Sequence, residues 1–133
     1  MSDARVPDAL IAAALAAREN AFAPYSKFKV GAALEDAEGR IHTGCNVENA
    51  TYGLTVCAER VAVLKAISEG VRRFRRVAIA ADAETLTPPC GACRQILWEF
   101  CGDIEIVLSN LRGRTETCRL KDLFPKPFDV SYL

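Results

Sequence analysis

The chain has 133 residues, 50% hydrophobic and 26% charged; that balance excludes intrinsic disorder, and the length suits a single domain over residues 1–133. Seventeen basic residues offset seventeen acidic ones, for a formal net charge of zero, so a nucleic-acid groove, which would be plainly basic, is not expected. No apolar run approaches the ~18 residues of a membrane span, so no membrane contact is expected. The opening MSDARVPDAL has no basic segment followed by a sustained apolar stretch, so a signal peptide is not expected and a cytoplasmic location is. Six cysteines stand against one histidine. In a reducing compartment clustered thiols serve as metal ligands or redox groups rather than bridges, and a metal site here must lean on thiolates.

From Pro7 to about Ala23, Leu10, Ile11, Ala14, Leu15 and Ala17 recur at helical spacing, with Pro7 suited to the first turn and Pro24 as the stop. Phe28–Glu35 and Arg40–Val47 read as strands of a hairpin joined by Asp36-Ala37-Glu38-Gly39. A second helix is expected over Cys57–Glu69, with Val61, Leu64 and Ile67 inward and Gly70 ending it. Arg75–Ala81 alternates into a buried strand. Pro88-Pro89 stiffens the next loop, and a third helix runs Cys90–Phe100 to Gly102. Asp103–Ser109 is another strand, so strand, helix and strand imply a parallel pair with a right-handed crossover. Thr115–Leu120 reads as a last strand and Lys121–Phe124 as a helical turn. The sum is an α/β fold, a three-layer α/β/α sandwich with a mixed sheet of about five strands.

Cys90-Gly91-Ala92-Cys93 starts the third helix, which puts two sulfurs on one side of its first turn, where they can chelate one ion. Cys57 holds the same place on the second helix. Both helix starts lie at strand ends, where an open α/β sheet builds its site, and the partial positive charge there favours thiolates. Three protein ligands leave zinc a fourth position for water, as in catalytic sites. Glu59, two residues after Cys57, reads as the proton carrier between that water and a substrate. Three thiolates and Zn²⁺ sum to −1, and an adjacent Arg60 guanidinium donating to sulfur would restore some of the metal's polarising power.

Cys57-Ala58-Glu59 followed by Pro89-Cys90-Gly91-Ala92-Cys93 resembles the zinc nucleoside and nucleobase deaminases. Within them the chain is most similar to the small, all-cysteine cytidine deaminases, through Phe28-Lys29-Val30-Gly31-Ala32-Ala33-Leu34, Asn46-Val47-Glu48-Asn49-Ala50 and Cys90 to Gln95, in order from about Leu10 to Phe128. The resemblance implies one zinc per subunit on Cys57, Cys90 and Cys93, and Glu59 as the catalytic acid and base. It implies hydrolysis of cytidine or 2′-deoxycytidine to the uridine and ammonia, in pyrimidine salvage. It implies that Phe28 packs on the pyrimidine and that Asn46 and Glu48 bond the sugar hydroxyls, with Ala58 also lining the substrate. The backbone over Thr87–Cys90 would receive the amino group. Family members of this length form homotetramers with shared active sites, so Phe128 would stack on a neighbour's substrate and Tyr52 would line the interface.

Other readings stand beside these. Cys90-x-x-Cys93 alone fits a thioredoxin-like pair or half of a structural zinc knuckle. A blasticidin-type deaminase, an editor of cytidines in nucleic acid and a non-catalytic zinc module are the rivals; Asn46-Val47-Glu48-Asn49 favours a free nucleoside. Cys45, Cys101 and Cys118 read as small packing residues. His42 reads as structural, and Arg72, Arg73, Arg75 and Arg76 as charges that complement the end of the second helix and solvate a loop.

Overall fold

A computed structural model describes residues 7–133; the first six residues of the MSDARVPDAL opening lie outside the described residues. In chain order the elements are α1 (Asp8–Arg18), β1 (Val30–Asp36), β2 (Ile41–Cys45), α2 (Ala58–Ser68), β3 (Phe74–Ala81), α3 (Gly91–Cys101), β4 (Glu105–Ser109), β5 (Thr115–Arg119) and α4 (Leu120–Leu123), with short 3-10 turns at Tyr52–Leu54 and Val130–Tyr132. The five strands form one mixed sheet in the order β2-β1-β3-β4-β5. Only β3 and β4 pair in parallel, as the strand, helix and strand succession requires; the other pairs are antiparallel.

Strand alternation divides the core between two faces. Ala32, Leu34, Val77, Ile79, Ile106 and Leu108 meet Ala58, Ala62, Val63 and Ala66 of α2 and Leu97 of α3. Ala33, Ala78, Ala80 and Val107 meet Leu10 and Ala14 of α1 on the other face. This is the expected three-layer sandwich. Both faces are carpeted with small residues, and two glycines show why. A Cβ on Gly31 would lie 2.0 Å from the Ala14 carbonyl oxygen, and one on Gly44 would lie 2.5 Å from the Ala62 nitrogen.

That close approach corrects the expected inward face of α2. Ala58, Ala62, Val63 and Ala66 are its buried apolar residues, whereas Leu64 is exposed and Val61 and Ile67 are half-buried. A helix pressed onto Gly44 has room only for alanine along the line of contact, and larger side chains move to the flanks. The first helix also ends earlier than Pro24 implies. Past Arg18 the chain leaves the helix and bridges to the segment after β2, through Phe22 N–H to the Asn46 carbonyl and Glu48 N–H to the Phe22 carbonyl. Pro7 is the N-cap rather than a first-turn residue.

The hairpin turn forms as expected, with Gly39 at φ 84°. Asp36, however, is fully buried at the end of β1, where the Glu38 and Arg40 amides, the Arg40 Nε and the His42 Nε2 converge on its carboxylate at 2.9–3.2 Å. His42 is therefore structural. Arg72 donates to the Ile67 carbonyl at the end of α2, as expected of the arginine run. Arg76 does not solvate a loop: β3 begins before it, and it is buried between Glu35 at 3.4 Å and Glu105 at 3.1 Å. Cys101 and Cys118 pack against the larger core cluster, and Cys45 is half-buried in β2. Among the described residues no helix is long and apolar enough to cross a membrane.

Candidate active site

Because β1 runs antiparallel to both of its neighbours, the C-terminal ends of β2 and β3 flank the start of β1 at one edge of the sheet. The chain leaves that edge after β2 to begin α2 and after β3 to begin α3. Cys57 is the N-cap of α2 and Cys90 the N-cap of α3; neither side chain accepts a capping hydrogen bond from its helix. The positive end of each helix thus sits beside a sulfur. Cys93, one turn into α3, is buried. The three sulfurs lie within 4.8 Å of one another, with Cys57–Cys90 at 3.9 Å and Cys90–Cys93 at 3.4 Å.

A hydrogen bond from Cys93 holds the Cys57 thiol down, to about 5, against the opposing effect of burial; Cys90 and the Arg60 charge reinforce it. The same sharing, together with burial, pushes Cys93 up. Arg60 donates to the Thr55 carbonyl at 2.8 Å and sets its charge against the Cys57 sulfur. Glu59, in the first turn of α2, is 5% exposed; burial pushes its carboxyl up to about 7, and a Cys57 thiolate beside it acts in the same direction. A carboxyl poised near neutrality can both take and return a proton.

These groups open onto a cleft of about 250 Å³ lined by Ser26, Phe28, Asn46, Glu48, Cys57, Ala58, Glu59, Thr87 and Cys90, among others. Phe28, Asn46, Glu48, Ala58, Glu59 and two of the three cysteines, all singled out by motif, therefore meet in one place. Asn46 and Glu48 lie beyond the end of β2, not within a strand, and share the cleft because Val47 between them bridges to both Phe22 and Val56. Tyr52 is outside this cleft, 74% exposed and edge-on to Tyr25. Phe128 is also outside it, 56% exposed and stacked on Tyr132 with ring centroids 5.7 Å apart. Phe124, in contrast, packs on the core.

Ser26, Val30, Thr55 and Ile79 line the cleft without having been singled out. Val30 stands within the Phe28–Leu34 motif and Ile79 within the expected Arg75–Ala81 strand, without a site role of their own; nothing in the sequence marks Ser26 or Thr55. Three α3 side chains hold the tail against that helix. Arg94 donates to the Leu123 carbonyl at 2.6 Å, Gln95 to the Phe128 carbonyl at 2.8 Å, and Trp98 Nε1 to Asp129 Oδ2 at 3.0 Å. Arg94 also donates to the Pro89 carbonyl at 2.8 Å, next to Cys90.

Three thiols able to hold a metal ion converge on the end of a mixed sheet, beside the buried Glu59, as in an α/β enzyme with a metal site. The chain belongs to the cytidine and deoxycytidylate deaminase family, whose zinc-binding region matches residues 5–109. It is 50% identical over 127 residues to the cytidine deaminase of Sporosarcina psychrophila, covering 92% of this chain and 93% of that protein. It is 48% identical over 120 residues to that of Halalkalibacterium halodurans, covering 90% and 91%. The crystal structure of cytidine deaminase from Burkholderia pseudomallei superposes with a TM-score of 0.89 at 47% identity, over 93% of this chain and all of that one.

The donor set fits zinc. Two thiolates about 2.3 Å from a common tetrahedral ion stand about 3.8 Å apart, and the sulfur separations here, 3.9 and 3.4 Å, fall on either side of that value.

Proposed function

We propose that this chain is a single catalytic domain that hydrolyses cytidine and 2′-deoxycytidine to uridine and 2′-deoxyuridine with release of ammonia, in pyrimidine salvage. The observation that carries the reading is the meeting of Glu59 and the cysteine cluster with Phe28, Asn46 and Glu48 in one cleft. Cys57, Cys90 and Cys93 would hold one zinc per subunit, which would supply Lewis-acid activation of the attacking water. Glu59 takes the proton of that water and delivers it to ring N3 as the oxygen adds at C4. Glu59 then takes the proton of the new C4 hydroxyl and passes it to the amine, so the C4–N bond breaks as the carbonyl forms, and water and the amidine give the carbonyl product and ammonia. Burial of Glu59 supports this role, because a carboxylate shielded from solvent keeps its proton for the substrate.

Phe28 packs on the pyrimidine face. Asn46 and Glu48 hold the sugar, and the Glu48 carboxylate repels a phosphate, which favours nucleosides over nucleotides. Ala58 and the Thr87–Cys90 backbone border the ring and its amino group. Arg60 tempers the thiolate charge at Cys57. Six free cysteines support a reducing cytoplasmic setting, and zero net charge supports a free nucleoside rather than nucleic acid as the partner. The exposed Tyr52 and Phe128 support a homotetramer in which neighbouring subunits complete each site.

The test is to measure zinc per chain while following loss of cytidine absorbance together with ammonia release. One zinc with stoichiometric ammonia is expected, and zinc without turnover overturns the reading.

A further inference from the structure

Glu48 is already engaged by the chain that carries Phe28. Its Oε1 accepts the backbone N–H groups of Tyr25 at 2.9 Å and Ser26 at 3.1 Å, and its Oε2 accepts the Ser26 hydroxyl in a short hydrogen bond. The Ser26 Oγ in turn accepts the Phe28 N–H at 3.0 Å. Because a carboxylate only accepts, the hydrogen bonds run one way, from the Phe28 amide through the Ser26 hydroxyl to Glu48, and each polarises the next. Asn46 closes the loop from the other side: its Nδ2 donates to the Phe28 carbonyl at 2.8 Å and its Oδ1 accepts the Val30 N–H at 2.9 Å.

Lys27, between Ser26 and Phe28, has φ 62°. A side-chain-bearing residue in the left-handed region is strained and persists only where neighbours hold it. The Glu48 carboxylate is that hold, and the Ser26 hydroxyl is the largest influence keeping its pKa low. A carboxylate has about four acceptor positions. Three are filled here, leaving about one for a ligand hydroxyl, so a sugar that pulls on Glu48 also pulls on the loop that carries Phe28.

We propose that Ser26 is a positioning residue that couples the sugar end of the cleft to its ring end, so that Glu48 sets the placement of Phe28 as well as receiving a hydroxyl. This rests on the reading of Phe28 and Glu48 given above. The distinguishing probe is 2′,3′-dideoxycytidine, which keeps the pyrimidine but offers Glu48 neither of those hydroxyls.

Three variants, Ser26→Ala, Ser26→Thr and Glu48→Gln, are compared in zinc content, melting temperature, KM and kcat for cytidine, and inhibition of cytidine turnover by dideoxycytidine. Ser26→Ala is expected to raise the cytidine KM and the dideoxycytidine inhibition constant about tenfold, the loss of one charge-assisted hydrogen bond, with kcat and zinc retained. Ser26→Thr keeps the hydroxyl and restores both constants. Glu48→Gln is expected to weaken dideoxycytidine as well as cytidine. If either Ser26→Ala or Glu48→Gln leaves the dideoxycytidine constant unchanged, the coupling is wrong. Where Glu48→Gln weakens cytidine alone, the sugar contact stands and only the coupling fails; where it weakens neither, the sugar contact itself is removed. Should Ser26→Ala not fold, Glu48→Gln still decides it through the dideoxycytidine constant.

Discussion

In the proposed reaction Glu59 and the cysteines divide the labour at the cleft by chemistry, and single substitutions separate them. Glu59→Ala is expected to retain zinc, since the three thiols are untouched, and to lose turnover by about 10²–10⁴-fold, the usual weight of general acid and base catalysis. Cys57→Ala or Cys93→Ala is expected to lose the metal. Zinc content and ammonia release measured side by side check both, and Arg60→Gln should keep the metal while slowing turnover. A second residue-scale expectation concerns Asp36. Burial alone would raise its pKa, but hydrogen bonds from His42 and the Arg40 and Glu38 amides, with the Arg40 charge, outweigh it and hold the carboxyl at about 2. A group held below its unfolded value contributes stability that is complete above about 4 and is lost as pH falls through about 2. The melting temperature should therefore drop across that window in the wild type. Asp36→Asn turns an amide NH₂ towards donors and should cost about 1–3 kcal/mol at neutral pH; the pH-dependent drop should shrink with it. The clustered cysteines and Glu59 could be singled out in the sequence because their spacing is partly local: Cys90 and Cys93 are three residues apart at the start of one helix, and Glu59 follows Cys57 by two at the start of another. Ser26 and Arg76 were not, because Glu48, Glu35 and Glu105 come from other parts of the chain; Asp36 was not, although its partners lie within six residues, because a turn aspartate is ordinarily solvated and nothing beside it in the sequence announces burial.

At the scale of elements, strands and helices could be read from periodicity, but the distance between them could not. Glycine and alanine in β1, β2 and β3 look like weak strand residues, yet they are what lets α1 and α2 approach the sheet. Gly31→Ala tests this. The new Cβ would meet the Ala14 carbonyl oxygen and the Arg18 nitrogen, at 2.0 and 2.5 Å, both backbone atoms that yield only if α1 moves. A loss of about 3 kcal/mol is expected, at the upper end for overpacking, read as the urea midpoint. The same closeness matters at Gly44, because α2 carries Cys57 as its N-cap and Glu59 and Arg60 on its first turn. The contact that hid the true inward face of α2 from sequence reasoning is thus the contact that sets the height of the metal-binding edge above the sheet. The early end of α1 has a similar origin: the bridge from Phe22 to Val47 competes with helix continuation and aligns Asn46 and Glu48 with the cleft.

For the molecule as a whole, Phe22, Tyr25, Tyr52, Leu54, Phe128, Val130 and Tyr132 are exposed, with Tyr25 against Tyr52 and Phe128 against Tyr132. In the proposed tetramer they are covered by neighbouring subunits. Sedimentation should give about four chains per particle. Phe128→Ala should raise the cytidine KM and leave zinc content unchanged; a tetramer with unaltered KM would deny the residue its place against a neighbour's substrate. The tetramer is an expectation drawn from family resemblance alone, because hydrophobic periodicity does not distinguish a side chain buried in its own core from one buried against another copy. The tail of each chain also has its own optical label. Trp98 is the single tryptophan, and its indole N–H is bonded to Asp129, next to Phe128. Its fluorescence should therefore respond to tail seating: Asp129→Ala should shift the emission, and a matching shift in the wild type on dilution or nucleoside binding would time tail movement without an added dye.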